Sequence, residues 1–157
     1  MIEIIHYEKD KHILHRPKII DFMIRMDELF VPTLKSRNID IPDYFSKMEE
    51  KGEIIFTFDN EDRILGACLF YCNDFVAQTA FGTWLCVLEE ARHLGLGFLL
   101  ICEALEICRK KSMKYFELQT WKTNEMVIQM YKKGFQAEIV KEFFESGRQT
   151  VRLRVTL

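Results

Sequence analysis

One segment constrains this chain more than any other: an apolar strand that runs through a short loop into a glycine-opened amphipathic helix. Leu85-Cys86-Val87-Leu88 is apolar, Glu89-Glu90-Ala91-Arg92-His93-Leu94 is a polar connection, and Gly95-Leu96-Gly97 begins the helix. The first N–H groups of a helix have no internal acceptor, and with the helix dipole they form an anion site. Glycines let the backbone approach a phosphate closely, and Arg92 adds a positive charge at the loop mouth. A tight turn whose glycines serve only packing fits the same pattern. Two phosphate-binding motifs are excluded. No Gly-Lys-Ser/Thr follows, so this is not a Walker loop. Leu100 stands where a third glycine of a dinucleotide fingerprint would be.

The remaining periodicities supply the frame. Glu3 to Tyr7 predicts a first strand, and His15 to Phe30 a helix with Ile19, Ile20, Met23, Met26, Leu29 and Phe30 at threes and fours, ended by Val31-Pro32. Pro42 opens a second helix and Gly52 closes it. Ile54–Phe58 and Ile64–Tyr71 form a hairpin around Asp59-Asn60-Glu61-Asp62, with a turn at Asn73-Asp74. Gln78 to Leu88 is a strand with Gly82 as a candidate bulge. In the helix after Gly97, Phe98, Ile101, Cys102, Leu105 and Cys108 are expected to share the buried face. Tyr115 to Trp121 is a strand and Thr123 to Lys133 a helix, with Gly134 expected at the left-handed position beyond its end. Two strands flank Glu145-Ser146-Gly147-Arg148; the last alternates Val151, Leu153, Val155 and Leu157 against Arg152, Arg154 and Thr156. The order β-α-α-β-β-β-α-β-α-β-β predicts one mixed α/β domain over residues 1–157.

Composition removes several function classes. A chain of 157 residues buries about 68–70% of its unfolded surface without a staple. Lys+Arg number 22 and Asp+Glu 24, a net charge of −2, which disfavours non-specific nucleic-acid binding. The five cysteines are odd in number, lack a CxxC pair and mostly sit in apolar runs, which points to a reducing compartment. No histidine pairs with a cysteine at zinc-finger spacing, so no metal is expected. No signal peptide and no membrane-length apolar run is seen, so the expected location is the cytoplasm, without a membrane partner.

A second cluster lies downstream: Asn124, then Tyr131-Lys132-Lys133-Gly134-Phe135. Arg92-x-x-Gly95-x-Gly97 resembles the Q/R-x-x-G-x-G/A signature of the GNAT superfamily of acyl-CoA N-acyltransferases. Asn124 with the Tyr131–Phe135 segment resembles the same family's N-x(6)-Y-x-x-x-G-F region, shortened by one residue between Tyr and Gly. The match runs from Leu85 to Phe135, about a third of the chain.

The resemblance implies a mixed sheet flanked by helices and splayed between its fourth and fifth strands, here Gln78–Leu88 and Tyr115–Trp121. It implies that Arg92, His93, Leu94, Gly95, Leu96 and Gly97 cradle the pyrophosphate of acetyl-CoA, the acyl donor. It implies that Leu85, Cys86 and Val87 border the pantetheine and acyl carbonyl, with Leu85 and Val87 on one face. Asn124 is expected to bond the cofactor arm, and Tyr131 to protonate the departing thiolate. A phenol suits that role because it stays protonated at neutral pH. Cys86 has the opposite parity to Leu85 and Val87 and no neighbouring His, so its thiol reads as core and not as an acyl carrier.

The amine's proton has no obvious destination. In the ribosomal-protein branch of the family a Glu five residues before the Asn acts as base; here that position is Gln119. Glu89, Glu90, Glu117, Asp74 and Tyr71 are alternatives, as is water. The stretch Phe30–Arg37 with Tyr44-Phe45, together with Phe70–Asp74, is similar to family members that acetylate amino sugars on nucleotide carriers. The expected activity is therefore N-acetylation of a small-molecule primary amine, an amino sugar included, by a monomer or homodimer. A peptide or protein N-acetyltransferase, a non-catalytic acyl-CoA-binding module and an unrelated nucleotide-binding domain are the rivals.

Overall fold

The computed structural model covers residues 1–157. Its elements in chain order are β1 (Glu3–His6), α1 (Arg16–Met26), α2 (Ile41–Lys51), β2 (Glu53–Phe58), β3 (Ile64–Asp74), β4 (Thr79–Val87), α3 (Leu96–Lys110), β5 (Tyr115–Trp121), α4 (Glu125–Phe135), β6 (Glu138–Glu145) and β7 (Arg148–Thr156). The seven strands form one sheet in the order β1-β2-β3-β4-β5-β7-β6. Every pairing is antiparallel except β4 with β5, which α3 connects by a crossover. No helix is long and apolar enough to cross a membrane.

Residue parity sorts the two faces. Gly66, Cys68, Phe70 and Cys72 of β3 lie under α3: a Cβ on Gly66 would meet Leu100, and the Cys72 and Cys108 sulfurs are 3.7 Å apart. Leu69 lies on the other face, opposite Trp84, which meets Phe22 of α1 edge-on at 6.0 Å. Helices α1 and α2 cover that face over β2 and β3, whereas α3 and α4 cover the opposite one. Phe98 of α3 stacks on Phe135 of α4 at 4.7 Å, which joins the two helices. The β7 alternation works as its pattern demands: Val151, Leu153 and Val155 are buried under α3 and α4, and Arg152 and Arg154 face the other way.

Four expectations need correction. Gly134 is not the left-handed residue beyond α4; that conformation falls to Gln136 (φ 52°). Gly134 lies in the last helical turn, where a Cβ would come within 2.9 Å of Phe98 Cε2. Close helix–helix packing, not chain reversal, needs the glycine. The buried face of α3 is carried by Leu100, Ala104, Ile107 and Cys108 with Ile101 and Leu105, while Phe98 is 40% exposed and Cys102 is half-buried. The turn after β3 is Phe75–Gln78, because the strand continues through Asp74, whose carboxylate accepts from Ala77 N at 2.9 Å. The helix expected over His15–Phe30 is regular only from Arg16 to Met26 and is flanked by short 3-10 turns.

Candidate active site

The ladder between β4 and β5 holds only at Thr79↔Tyr115, Ala80↔Phe116 and Phe81↔Glu117. Beyond it β4 continues to Val87 and β5 to Trp121 without pairing. Crossover geometry requires the parallel pair, and β4 carries a bulge against β3 just where its pairing with β5 ends. Leu69 pairs with Trp84 and Phe70 with Gly82, which leaves Thr83 as the extra residue. The Thr83 hydroxyl donates to Leu69 O at 3.2 Å and is hydrogen-bonded by the Tyr44 hydroxyl of α2, so the bulge is pinned from the helix side. Burial pushes the Tyr44 phenol up to about 12. The free edge of β4 in this split includes Leu85, Cys86 and Val87. Leu85 and Val87 face α3 and Cys86 faces away, as their registers opposite Cys68, Gly66 and Ala67 require. Burial pushes the Cys86 thiol up to about 11, which makes it inert.

The glycine loop closes the top of the split. Glu89–Leu94 forms a 3-10 turn, and Gly95 (φ 72°) takes the left-handed conformation that lets α3 start at once. Leu99 N donates to Gly95 O at 3.1 Å, the first bond of α3, and no side chain caps the helix. The N–H groups of Leu96, Gly97 and Phe98 therefore lack helical acceptors. A Cβ on Gly95 would meet nothing within 4 Å, and one on Gly97 only Val87 Cγ2 at 3.9 Å. The protein leaves the space before these donors empty, which is the cradle an oxyanion needs. Arg92 Nε donates to Val87 O at 3.3 Å and lies across the end of β4. His93 and Leu94 are exposed on the turn, whereas the Leu96 side chain is buried, so Leu96 offers only its backbone.

The other wall comes from β5 and α4. Asn124 stands at the start of α4 and donates to Thr120 Oγ1 at 2.9 Å instead of capping the helix. Tyr131 is 2% exposed. Burial raises its pKa well above that of a free phenol, with a smaller contribution from Cys68, and no protein hydrogen bond satisfies its hydroxyl. The Tyr131 ring centre lies 5.9 Å from that of Phe135, on the face of the sheet that α3 and α4 cover.

Of the residues weighed as bases, Glu89 and Glu90 are exposed outside the split, and Glu90 meets Arg63 at 3.4 Å. Asp74 caps a turn. Glu117 is buried at the foot of the split, but Arg154 holds it with both Nε and Nη2 at 3.1 Å. Tyr71 is half-buried on the α1–α2 face beside Phe81. Among the acceptor-side candidates, Phe45 and Phe70 are fully buried core, Phe30 stacks on Trp84 at 5.1 Å, and Lys35 and Arg37 are exposed. A cavity of about 420 Å³ between α1 and the start of α2 lies away from the split, and its Asp27 is engaged by Leu34 N (2.7 Å) and Lys35 N (3.1 Å). Two residues beside the split escaped sequence reading: Thr83 and Trp84. Trp84 Nε1 is buried without an acceptor.

A seven-stranded mixed sheet split at its one parallel pair, with a glycine-opened helix at the mouth of the split, matches the GNAT fold. The acetyltransferase (GNAT) family model matches residues 22–135, and the chain belongs to that family. The family's acyl donor is acetyl-CoA. No curated protein matches the sequence significantly. Among solved structures, the ribosomal-protein-S18-alanine N-acetyltransferase of Escherichia coli is similar at 13% identity, with 99% of this chain and 94% of that one covered and a TM-score of 0.76. An acetyltransferase of Bacillus subtilis in complex with CoA is similar at 20% identity, 100% and 99% coverage and a TM-score of 0.68. The IAA acetyltransferase of Bacillus cereus ATCC 14579 is similar at 17% identity, full coverage of both chains and a TM-score of 0.69. At these identities the likeness is one of fold.

Proposed function

We propose that this protein is a cytoplasmic N-acetyltransferase that moves the acetyl group of acetyl-CoA directly onto the primary amine of a small molecule, an amino sugar on a nucleotide carrier being the specific class, with Tyr131 as general acid. The observation that carries this reading is the Tyr131 phenol, whose ring is buried while its hydroxyl has no protein partner and is not sealed from solvent. Its raised pKa keeps the proton available at every physiological pH.

The other residues take roles set by geometry. The N–H groups of Leu96 and Gly97, reached past the left-handed Gly95, hold the pyrophosphate, and Arg92 adds charge. The unpaired edge at Leu85, Cys86 and Val87 supplies backbone donors to the cofactor arm and to the oxygen on which charge develops as the amine attacks. The Asn124 nitrogen stays on Thr120, which leaves its carboxamide oxygen free to accept from the cofactor arm. Arg154 occupies Glu117 through two nitrogens, so the amine's proton leaves through water. A peptide acceptor is the competing reading, supported by the fold likeness to the S18-alanine enzyme; Gln119, which cannot take a proton, speaks against that enzyme chemistry here. A library of amines, amino sugars, nucleotide-linked amino sugars and peptides tests this, with mass spectrometry of CoA release and acetylated product. The reading expects amino-sugar products. Acetylation of peptides alone, or binding of acetyl-CoA without transfer to any amine, overturns it.

A further inference from the structure

Cross-strand pairing sets two rows of side chains on the face that α1 and α2 leave uncovered. In one row Arg154 of β7 stands between Glu117 of β5 and Glu138 of β6; in the next, Arg152 stands between Gln119 and Lys141. The first row is neutralised, with Glu117 gripping Arg154 through two nitrogens. The second has two cations side by side and no carboxylate. Like charges directly opposite across strands are destabilising, so the second row lacks a counter-charge that the first row has.

The position of the guanidinium gives that deficit a location. With its carboxamide oxygen turned to the arginine, Gln119 accepts from Arg152 Nη2 at 2.5 Å and Nε at 3.2 Å. The guanidinium carbon lies 5.7 Å from the ring centre of Phe81. Phe81 belongs to β4 and Arg152 to β7, so the side chain reaches across β5. Phe81↔Glu117 is also the last paired position before β4 and β5 part. Arg152 is thus held by an aromatic face and a neutral amide at the foot of the split. Helices α3 and α4 close the opposite face, and Phe98 stacked on Phe135 joins them. An amine therefore reaches the split from the Arg152 side.

Resting on the acetyltransferase reading above, we infer that Arg152 binds an oxyanion of the acceptor, so the amine this site takes carries a carboxylate or a phosphate. A guanidinium presents a planar fork of donors that matches either group. Gln119 fits this role because a glutamate there would neutralise the arginine. Phe81 and Gln119 orient the fork without quenching its charge.

Matched acceptors test the inference: glycine against glycinamide for the carboxylate, glucosamine 6-phosphate against glucosamine for the phosphate. Each is assayed for kcat/KM and, on the CoA-loaded protein, for affinity by calorimetry. Wild type is expected to prefer the anionic member of at least one pair by tenfold or more, and the preferred pair identifies the oxyanion. Arg152→Gln is expected to bring that ratio close to one, Arg152→Lys to retain part of it, and Gln119→Glu to lower it by supplying an internal counter-charge. Loss of secondary structure in Arg152→Gln moves the decision to the Lys and Glu variants. Equal treatment of both members by wild type, or a preference that survives Arg152→Gln, overturns the inference while leaving acetyl transfer intact. Arginine-dependent binding of an anionic probe with no transfer to any amine upholds the inference and refutes the acetyltransferase reading.

Discussion

Gly97→Val separates the cradle from the scaffold. A Cβ at this position would approach only Val87 Cγ2, at 3.9 Å, an ordinary contact. Valine is also a slightly better helix former than glycine, by roughly a few tenths of a kcal/mol. The fold is therefore expected to accommodate the β-carbon, and urea unfolding of the variant reports whether the γ-methyls beside Val87 are accommodated as well. The ligand is not expected to tolerate the change. The side chain enters the space in front of the N–H groups of Leu96, Gly97 and Phe98, which the first bond of α3 leaves free. Loss of one hydrogen bond to a charged partner costs about 1.5–3 kcal/mol, so acetyl-CoA affinity should fall at least about tenfold, ~1.4 kcal/mol. Calorimetry reports the affinity and urea unfolding the stability of the same preparation. Unchanged affinity in a folded variant would refute the placement of the pyrophosphate.

Gly82→Ala should act the opposite way: its Cβ would come within 2.9 Å of Cζ of the buried Phe116, and overpacking of this kind costs ~1–3 kcal/mol, read as a lower urea midpoint. An unchanged midpoint would show that Phe116 moves aside. Cys86, with its thiol pushed up to about 11, is expected to alkylate at pH 7.5 some hundreds of times more slowly than a free thiol of pKa ~8.5; peptide mapping at the rate of a free thiol would contradict its burial. Stability should decline as pH rises above about 9, because Cys86, Cys68 (about 12) and Tyr131 keep their protons in the folded state after the unfolded chain has released them, so the unfolded state gains. Urea midpoints that rise between pH 8 and pH 10 would reverse the sign.

Legibility in the sequence followed the range of the interactions. The loop from Arg92 to Gly97 could be read because its chemistry is local: a strand, two glycines and a helix start need no partner from elsewhere. The parallel pairing of β4 with β5 followed from the crossover that a strand-helix-strand unit requires, whereas the opening between them was implied only by the family resemblance, and pairing shows that it begins after Phe81 and Glu117. Gly134 was misread because a glycine near a helix end usually reverses the chain, and its actual constraint, the Phe98 ring, comes from another helix. Arg152 was invisible for the same reason. Its partners Gln119, Phe81 and Lys141 lie on three other strands, and in the sequence it is one of several alternating cations. Gly82 marked the bulge, but the extra residue, Thr83, depends on a register set by β3.

The central claim is direct transfer assisted by Tyr131, and single-turnover mass spectrometry with isotope-labelled acetyl-CoA and an accepted amine tests it most directly, wild type beside Tyr131→Phe. The account predicts that CoA and N-acetylated product appear together in wild type with no acetylated protein. It predicts that the phenylalanine variant slows this step about a hundredfold, within the ~10²–10⁴ range of general-acid contributions, at unchanged acetyl-CoA affinity. An acetylated protein that forms and decays on the path to product, or a Tyr131→Phe variant that transfers at the wild-type rate, would contradict it.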